Sequence, residues 1–157
     1  MELARLGRLS FFQGIPSWAL IRLAEAATEE ELPAGRLVLR QSDRARAVHF
    51  LLAGSVQVLI RVGEEDLLVG VLRRPGELVG WSAFRPPYRY TASVRCEAPS
   101  RLVRVPAVVF EELFEREPAL AYQVLQRVAV SVANRLGHAR EHLFMPPGQA
   151  LVERAEP

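Results

Sequence analysis

The stretch Gly76–Val94, with the sequence GELVGWSAFRPPYRYTASV, differs from the segments on either side of it. It contains two prolines, four aromatic residues and two arginines, whereas its neighbours read as plain β-strands. Loops of this kind usually carry function, because a rigid scaffold presents its binding residues on connecting segments. The stretch therefore raises the question of whether it is a phosphate-binding loop.

The segments around this loop have the two-residue period of β-strands. Apolar residues alternate with polar ones before the loop and again after it, and short polar turns separate the segments. The clearest of these segments are Arg36–Arg40, Val48–Leu52, Val56–Val62, Thr91–Cys96 and Arg101–Val105. Short strands at roughly 8–12-residue spacing predict an antiparallel sandwich or barrel.

Helical periodicity flanks the strands on both sides. A helix is predicted directly after Pro16, because proline is favoured at the first helical position, and the helical period returns at Pro106. We predict helices over residues 106–116 and 118–143, and the second would be roughly 39 Å long. That length exceeds what a small β-domain needs to cover one of its faces.

The apolar residues of the long predicted helix allow two interpretations. They follow spacings of three and four residues and comprise Ala121, Leu125, Val128, Val132, Leu136, Ala139 and Leu143. This stripe either packs on the protein's own β-domain or pairs with the same helix of a second copy. Val124 and Val130 lie off the stripe, so the helix is apolar on more than one side. That pattern favours a homodimer through residues 118–143 with a two-fold interface.

Composition limits the cellular setting and the partners. The net charge is only +2, and the twenty basic residues, all of them arginine, are scattered rather than grouped into a nucleic-acid-binding stripe. The single cysteine, Cys96, can form neither an internal disulfide nor a cysteine-ligated cluster. With no signal peptide and no apolar run of about 18 residues, we expect a cytoplasmic protein without a membrane span.

The motifs of common enzyme classes are missing from the sequence. It has no G-x-S-x-G nucleophile motif, no lysine for a Walker loop, and only two aspartates, Asp43 and Asp66. His138 and His142 lie four residues apart on the long predicted helix, but two ligands do not make a metal site. We therefore expect no catalytic residues, no metal site and no enzymatic activity.

Four segments in order resemble the sensor domain of the catabolite-activator (CRP/FNR) regulator family. They are Phe11–Ala27, Pro33–Val58 with its turn at Gly54, Arg73–Gly80 and Thr91–Val94, and the resemblance runs over roughly Leu9–Leu143. It implies a mainly β fold with flanking helices (α+β). The expected architecture is an antiparallel double-stranded β-roll, jelly-roll-like, with N-terminal helices and a long C-terminal dimerisation helix.

The resemblance also implies a domain division. We expect a sensor domain over residues 1–145, with its β-roll at about 29–105, and a flexible tail over 146–157. Regulators of the family carry a winged helix-turn-helix after the long helix, and only fourteen residues follow Leu143. We therefore expect no direct DNA binding by this chain. The alternative is that it forms the sensor half of a longer transcription regulator.

The stretch of this chain from Gly76 onward resembles the phosphate-binding cassette of the family. In that cassette, backbone N–H groups point at a cyclic phosphate. The family's binders add a glutamate after the glycine and an arginine before a Ser/Thr-Ala pair. Here Trp81 follows Gly80, and Tyr90 precedes Thr91 and Ala92, with Arg89 one residue earlier. A tryptophan cannot accept a hydrogen bond from a ribose hydroxyl, so both side-chain contacts are displaced or lost.

Three hypotheses follow for the loop. In the first, Arg89 turns inward and backbone amides bind a cyclic nucleotide, cAMP or cGMP, or another small anionic ligand. In the second, the aromatic residues close the pocket, and the domain is a ligand-free dimerisation or protein-docking module. In the third, the aromatic residues form a pocket for a different small molecule. The predicted ligand-binding residues are Gly80, Trp81, Ser82, Ala83, Arg89, Tyr90, Thr91 and Ala92.

Overall fold

The computed structural model describes the backbone of residues 1–144 and the side chains of residues 1–140. The predicted flexible tail, residues 146–157, lies outside the described residues. The helices are α1 (Leu3–Arg8), α2 (Ser17–Ala26), α3 (Ala107–Arg116) and α4 (Pro118–Phe144), with short 3₁₀ helices at Ser10–Phe12 and Trp81–Phe84. The strands are β1 (Thr28–Leu32), β2 (Leu37–Leu39), β3 (Ala47–Ala53), β4 (Val56–Val62), β5 (Glu65–Leu72), β6 (Leu78–Val79), β7 (Ser93–Cys96) and β8 (Ser100–Pro106).

The strands form two four-stranded sheets with the orders β1-β8-β3-β6 and β2-β7-β4-β5. Every strand pair is antiparallel. A single cluster of buried apolar side chains draws residues from both sheets, including Phe50 and Val103 from the first and Val56 and Val94 from the second. The predicted fold class, a jelly-roll-like β-roll with flanking helices and a long C-terminal helix, is confirmed.

Strand β1 lies where the predicted β-roll begins, at about residue 29, but the alternation pattern does not identify it as a strand. Its sequence TEEEL carries three consecutive glutamates and lacks apolar alternation, so it reads as a polar connection. In the structure it pairs along its whole length with β8, from Thr28 opposite Arg104 to Leu32 opposite Ser100. It lies at the edge of its sheet, where charged side chains are tolerated because they face solvent.

Aromatic side chains join the helices to the roll at two places. Phe11 and Phe12 of the first 3₁₀ helix pack against Phe50 of β3, with ring centroids 4.8 and 4.7 Å away. In the second 3₁₀ helix, Phe84 packs edge-on against Phe110 of α3 at 5.1 Å. Such edge-to-face pairs stabilise a fold beyond the area they bury, typically by about 0.5–1.5 kcal/mol. The second cluster fixes the loop after Gly80 against the helices that follow the roll.

The structure divides the predicted apolar stripe of α4 between two faces. Val124, which the pattern placed off the stripe, is 1% exposed and packs in the core together with Leu120 and Val128. Leu125 and Leu136, which the pattern placed on the stripe, are 43% and 61% exposed. The stripe predicted from spacing therefore contains residues of both the buried face and the exposed face of α4. Contact with the roll decides which face of the helix is buried.

Gly54, in the turn between β3 and β4, has a left-handed backbone and close neighbours. Gly63, in the turn between β4 and β5, is also left-handed and serves as the control. At Gly54 an added Cβ would lie 2.5 Å from the Pro99 carbonyl oxygen and 2.7 Å from Ser100 Cα. At Gly63 nothing lies within 4 Å. We expect Gly54→Ala to lower the free energy of unfolding by roughly 2–5 kcal/mol, because overpacking adds to left-handed strain. Gly63→Ala should cost only about 1–2 kcal/mol.

Urea denaturation followed by circular dichroism measures both values. Equal effects of the two substitutions would contradict the steric explanation for Gly54.

Candidate ligand-binding site

The cassette loop begins at a glycine that no other residue can replace without strain. Gly80 follows β6 with φ of 85°, in the left-handed region, and precedes the 3₁₀ helix Trp81–Phe84. A Cβ at this position would lie 3.1 Å from both Leu39 Cδ1 and Tyr90 Cε1, and 3.3 Å from the Ala47 carbonyl oxygen. The missing side chain therefore lets the start of the loop approach Tyr90 and the wall of the roll.

Tyr90 holds the end of the loop against β3. Its side chain is 8% exposed, and its hydroxyl donates a 2.8 Å hydrogen bond to the Ala47 carbonyl oxygen. Its backbone N–H donates to Asp43 at 3.0 Å, and its carbonyl accepts from Ser42 at 2.8 Å. Burial raises the pKa of the Tyr90 phenol, so the group is neutral near pH 7. Tyr90, which the resemblance predicts to stand in place of the binders' arginine, is therefore a buried structural anchor.

Arg89 points away from the roll. Its side chain is exposed, and Nη1 donates a 2.7 Å hydrogen bond to the Ser42 carbonyl oxygen. Arg85, the other arginine of the loop, is also exposed and lies over the Trp81 ring at 5.6 Å from its centroid. Both arginines therefore occupy the positions expected of surface residues.

The four aromatic residues of the loop do not act as one group. Tyr88 is exposed, and Phe84 packs on α3. Only Trp81 and Tyr90 line a cavity of about 320 Å³ that remains beneath the loop. The loop, the roll and α4 together form its walls, which comprise Leu39, Val58, Ile60, Val69, Gly80, Trp81, Ser82, Tyr90, Thr91, Ala92, Val94, Val132, Arg135, Leu136 and Ala139.

Six of the eight sequence-predicted site residues lie around this cavity, and their role as ligand contacts stays a prediction. Among them, the hydroxyl oxygens of Ser82 and Thr91 lie 3.5 Å apart. Ala83 and Arg89 do not line the cavity. Ala83 is buried in the core, and its N–H donates to the Gly80 carbonyl oxygen at 3.1 Å, so that amide is already bonded within the loop.

The wall contributed by α4 is the part of the site that the loop sequence does not reveal. It includes Arg135, whose Nη2 donates to the Leu78 carbonyl oxygen. Burial lowers the pKa of Arg135, and the nearby Glu77 carboxylate partly opposes that shift. One signal was present in the sequence: Arg135 lies three residues after Val132 and four before Ala139, on an otherwise apolar helix face.

A larger groove of about 820 Å³ lies on the other side of the same arginine. It runs between the β5–β6 turn and α4, and its lining includes Arg74, Glu77, Arg127, Arg135 and His138. We assign the candidate site to the smaller cavity, because the residues of the cassette loop line that one and not the groove.

Within the part of the chain that the structure describes, no three His, Cys, Asp or Glu side chains come close enough together to hold a metal ion. No helix there combines the length and apolarity needed to cross a membrane.

The family profile described as the cyclic nucleotide-binding domain matches residues 29–117, which cover the roll except for Thr28 and the whole of α3. The chain belongs to the cyclic nucleotide-binding domain family. A crystal structure of a putative cyclic nucleotide-binding protein from Geobacter metallireducens is similar over 87% of this chain and 98% of its own, with a TM-score of 0.78 and 27% identity. The match to this domain family is consistent with the resemblance found in the sequence.

Two more proteins are similar to this chain. The Thermus thermophilus catabolite activator protein has the same fold, with a TM-score of 0.63 and 22% identity over 85% of this chain and 61% of its own. The curated Pycsar effector protein XpPycTIR of Xanthomonas perforans is 33% identical over 123 residues, which is 78% of this chain. This chain spans only 37% of the length of that curated relative.

The anchor role of Tyr90 is testable through its hydroxyl. Tyr90→Phe removes the donor and leaves the buried Ala47 carbonyl oxygen unpaired, so the free energy of unfolding should fall by about 1–3 kcal/mol. Tyr88→Phe makes the same chemical change on an exposed side chain and should stay within about 0.5 kcal/mol of wild type. Chemical denaturation of both variants gives the comparison, and equal stabilities would refute the anchor.

Proposed function

We propose that this chain is a regulatory sensor domain that binds a small anionic ligand in the cavity beneath the cassette loop. The first candidates are the cyclic nucleotides cAMP and cGMP. The observation that carries the proposal is the cavity itself, because cassette residues form one wall and the C-terminal helix forms the other. We further propose that the domain has no catalytic residues of its own and that it acts in the cytoplasm.

The size and lining of the cavity support a small ligand. Its volume of about 320 Å³ lies at the lower end of the roughly 300–1,000 Å³ typical of ligand sites. The wall is mostly apolar, and Ser82 and Thr91 supply hydroxyl groups. A few polar groups on an apolar wall are typical of sites that orient a small organic molecule.

The proposed signal passes through α4. Val132, Leu136 and Ala139 contribute to the cavity wall, so a bound ligand would contact the helix directly. A ligand that binds more tightly to one helix position than to another shifts the population toward that position. The Phe84–Phe110 contact supports a second connection, since it joins the cassette loop to α3, which precedes α4.

The similar Geobacter protein is described as a putative cyclic nucleotide-binding protein, which supports a nucleotide as the ligand. The rival hypothesis is a ligand-free dimerisation or protein-docking module. The outward position of Arg89 and the anchored Tyr90 favour it, because neither side chain then acts as a phosphate clamp. The hypothesis of a sensor half within a longer regulator stays a prediction.

Two valines of α4 give a matched test of ligand binding. Val132 lines the cavity, whereas Val130 is exposed and does not. We expect isothermal titration with cAMP and cGMP to give micromolar binding by the wild-type chain. Val132→Trp should weaken that binding by at least about tenfold, or 1.4 kcal/mol, because the indole occupies part of the cavity. Val130→Trp should leave it unchanged.

Failure of both nucleotides to bind wild type at millimolar concentration would favour the ligand-free hypothesis. Equal effects of the two tryptophans would place the ligand outside this cavity.

We also propose that two copies associate through α4. Exposed apolar and small side chains recur along one side of this helix at spacings of three and four residues, and they comprise Tyr122, Leu125, Ala129, Ala133 and Leu136. A continuous exposed stripe of this kind suits an antiparallel or parallel partner helix. A two-fold axis would bring the same stripe of both copies together.

A charge in the middle of this stripe tests the dimer. Leu125→Glu would place a carboxylate in the apolar seam of both copies, and we expect it to weaken dimerisation by roughly 2 kcal/mol or more. Val130→Glu adds the same charge to an exposed position on another side of the helix and should have little effect. Sedimentation velocity across a concentration series measures both, and a wild-type chain that stays monomeric would rule the dimer out.

A further inference from the structure

We propose that Arg135 of α4, rather than an arginine of the cassette loop, binds the anionic group of the ligand in the cavity. The inference deepens the proposed function and rests on it for the ligand's place in the fold. It adds a residue from a different element and gives the helix a direct bond to the ligand.

Arg135 is the one charged residue in the wall of the cavity, among the residues that the structure describes. It lies on the face of α4 that meets the roll, in line with Val128, Val132 and Ala139. The other lining residues are apolar or aromatic, apart from Gly80, Ser82 and Thr91. An anion in this cavity would therefore have one side-chain cation in its wall, a residue that the cavity shares with the larger groove.

The guanidinium of Arg135 has hydrogen-bonding capacity to spare. It carries five N–H donors, and one nitrogen, Nη2, donates to the Leu78 carbonyl oxygen. Its Nε is buried and has no hydrogen-bond partner within the described residues. Nε is shielded from solvent, so a ligand's acceptor would bond the donors on the two Nη nitrogens that the Leu78 carbonyl oxygen leaves free.

The charge of Arg135 also lacks a counter-ion in direct contact. No carboxylate among the described side chains lies within salt-bridge distance of it. Glu77 is close enough to act on Arg135 through space, but its carboxylate accepts from the backbone N–H groups of Arg73 and Arg74 at 2.9 and 2.8 Å. It also pairs with the Arg74 guanidinium at 3.2 Å. A largely buried cation without a paired anion is costly, and a bound anion would offset that cost.

The cassette loop offers no cation that competes for this role. Arg89 bonds to the Ser42 carbonyl oxygen, and Arg85 bonds to the Pro86 carbonyl oxygen at 3.1 Å while lying over Trp81. Both are exposed and outside the cavity wall. Tyr90, which the resemblance predicts in place of the binders' arginine, already donates its hydroxyl proton to the Ala47 carbonyl oxygen.

The chemical class of the ligand follows from this wall. One guanidinium matches one singly charged group with two acceptor oxygens, such as a phosphate diester, because the planar fork can bond both oxygens. The apolar surface from Val58, Ile60 and Val69 suits a planar or apolar body. A 3′,5′-cyclic nucleotide has both parts, and its base, purine or pyrimidine, would lie against the apolar wall.

This arrangement would couple the ligand to the helix more directly than a loop arginine does. Arg135 already joins α4 to the roll through the carbonyl oxygen of Leu78 in β6. A phosphate on the remaining donors would add a second bond between the same helix position and the body of the roll. Ligand binding would then favour the position of α4 in which both bonds are made.

The test is isothermal titration of four proteins: wild type, Arg135→Gln, Arg135→Lys and the matched control Arg89→Gln. The ligands are cAMP, cGMP, cCMP and cUMP, together with adenosine and cytidine, which have the base and sugar but no phosphate. Arg135→Gln should weaken binding of whichever cyclic nucleotide binds wild type by about 10- to 100-fold, the usual strength of a charge-assisted bond. It should change nucleoside binding by less than about twofold, since the nucleoside lacks the anion.

The control and the conservative variant sharpen this result. Arg89→Gln should bind the cyclic nucleotide like wild type, because its side chain lies outside the cavity. Arg135→Lys should bind with intermediate affinity, because it keeps the charge but loses the planar fork. Thermal unfolding without ligand identifies any variant that fails to fold, and Arg135→Lys then replaces Arg135→Gln in the comparison.

Two negative outcomes are distinguishable. Wild-type affinity in Arg135→Gln would overturn the role of Arg135 and leave the proposed sensor function standing. Absence of binding by wild type to any of the four nucleotides would instead remove the proposed cyclic-nucleotide function.

In that second case, inorganic phosphate at high millimolar concentration is the remaining probe. A rise in the unfolding temperature of wild type and Arg89→Gln that is absent in Arg135→Gln would support an anion site at Arg135. The same rise in all three proteins, or none in any, would overturn it.

Discussion

The cassette of this protein depends on one buried hydrogen bond, from the Tyr90 hydroxyl to the Ala47 carbonyl oxygen. This bond holds the end of the loop to β3, and the left-handed Gly80 allows the start of the loop to pack against the same ring. The loop is thereby closed at both ends around a cavity that persists beneath it. The proline-rich middle of the loop lies outside that closure and is exposed.

The hydrogen bond between Tyr90 and Ala47 determines which side chains can contact a ligand. A tyrosine committed to the backbone cannot serve as a phosphate clamp, and the neighbouring Arg89 faces solvent. Among the residues that the structure describes, the charged side chain that lines the cavity is Arg135 of α4. Because α4 is also the helix with an exposed apolar stripe, a ligand held there would act on the same element that a second copy would contact.

The fold was largely predictable, because its main signals are local. Alternation identified most of the strands, helical spacing identified α2, α3 and α4, and four ordered segments identified the family. The exception is β1, whose glutamates conceal a strand that exists because β8 supplies its hydrogen-bonding partner. The two faces of α4 were also beyond the sequence, since Val124 and Leu125 are equally apolar, and only the roll buries one and not the other.

The candidate site was predictable on its loop side and not on its helix side. By itself the sequence determined that Trp81 and Tyr90 stand in the loop, because residue identities are local facts. That they replace the glutamate and the clamp arginine of the family's binders is what the resemblance predicts. Only the tertiary structure decided that Tyr90 turns inward, that Arg89 turns outward and that Arg135 meets the cavity. Arg135 is 45 residues after Tyr90 in the chain, and their meeting depends on how α4 packs across the roll. Long-range packing of that kind is set by the sum of many apolar contacts, which no single segment of the sequence contains.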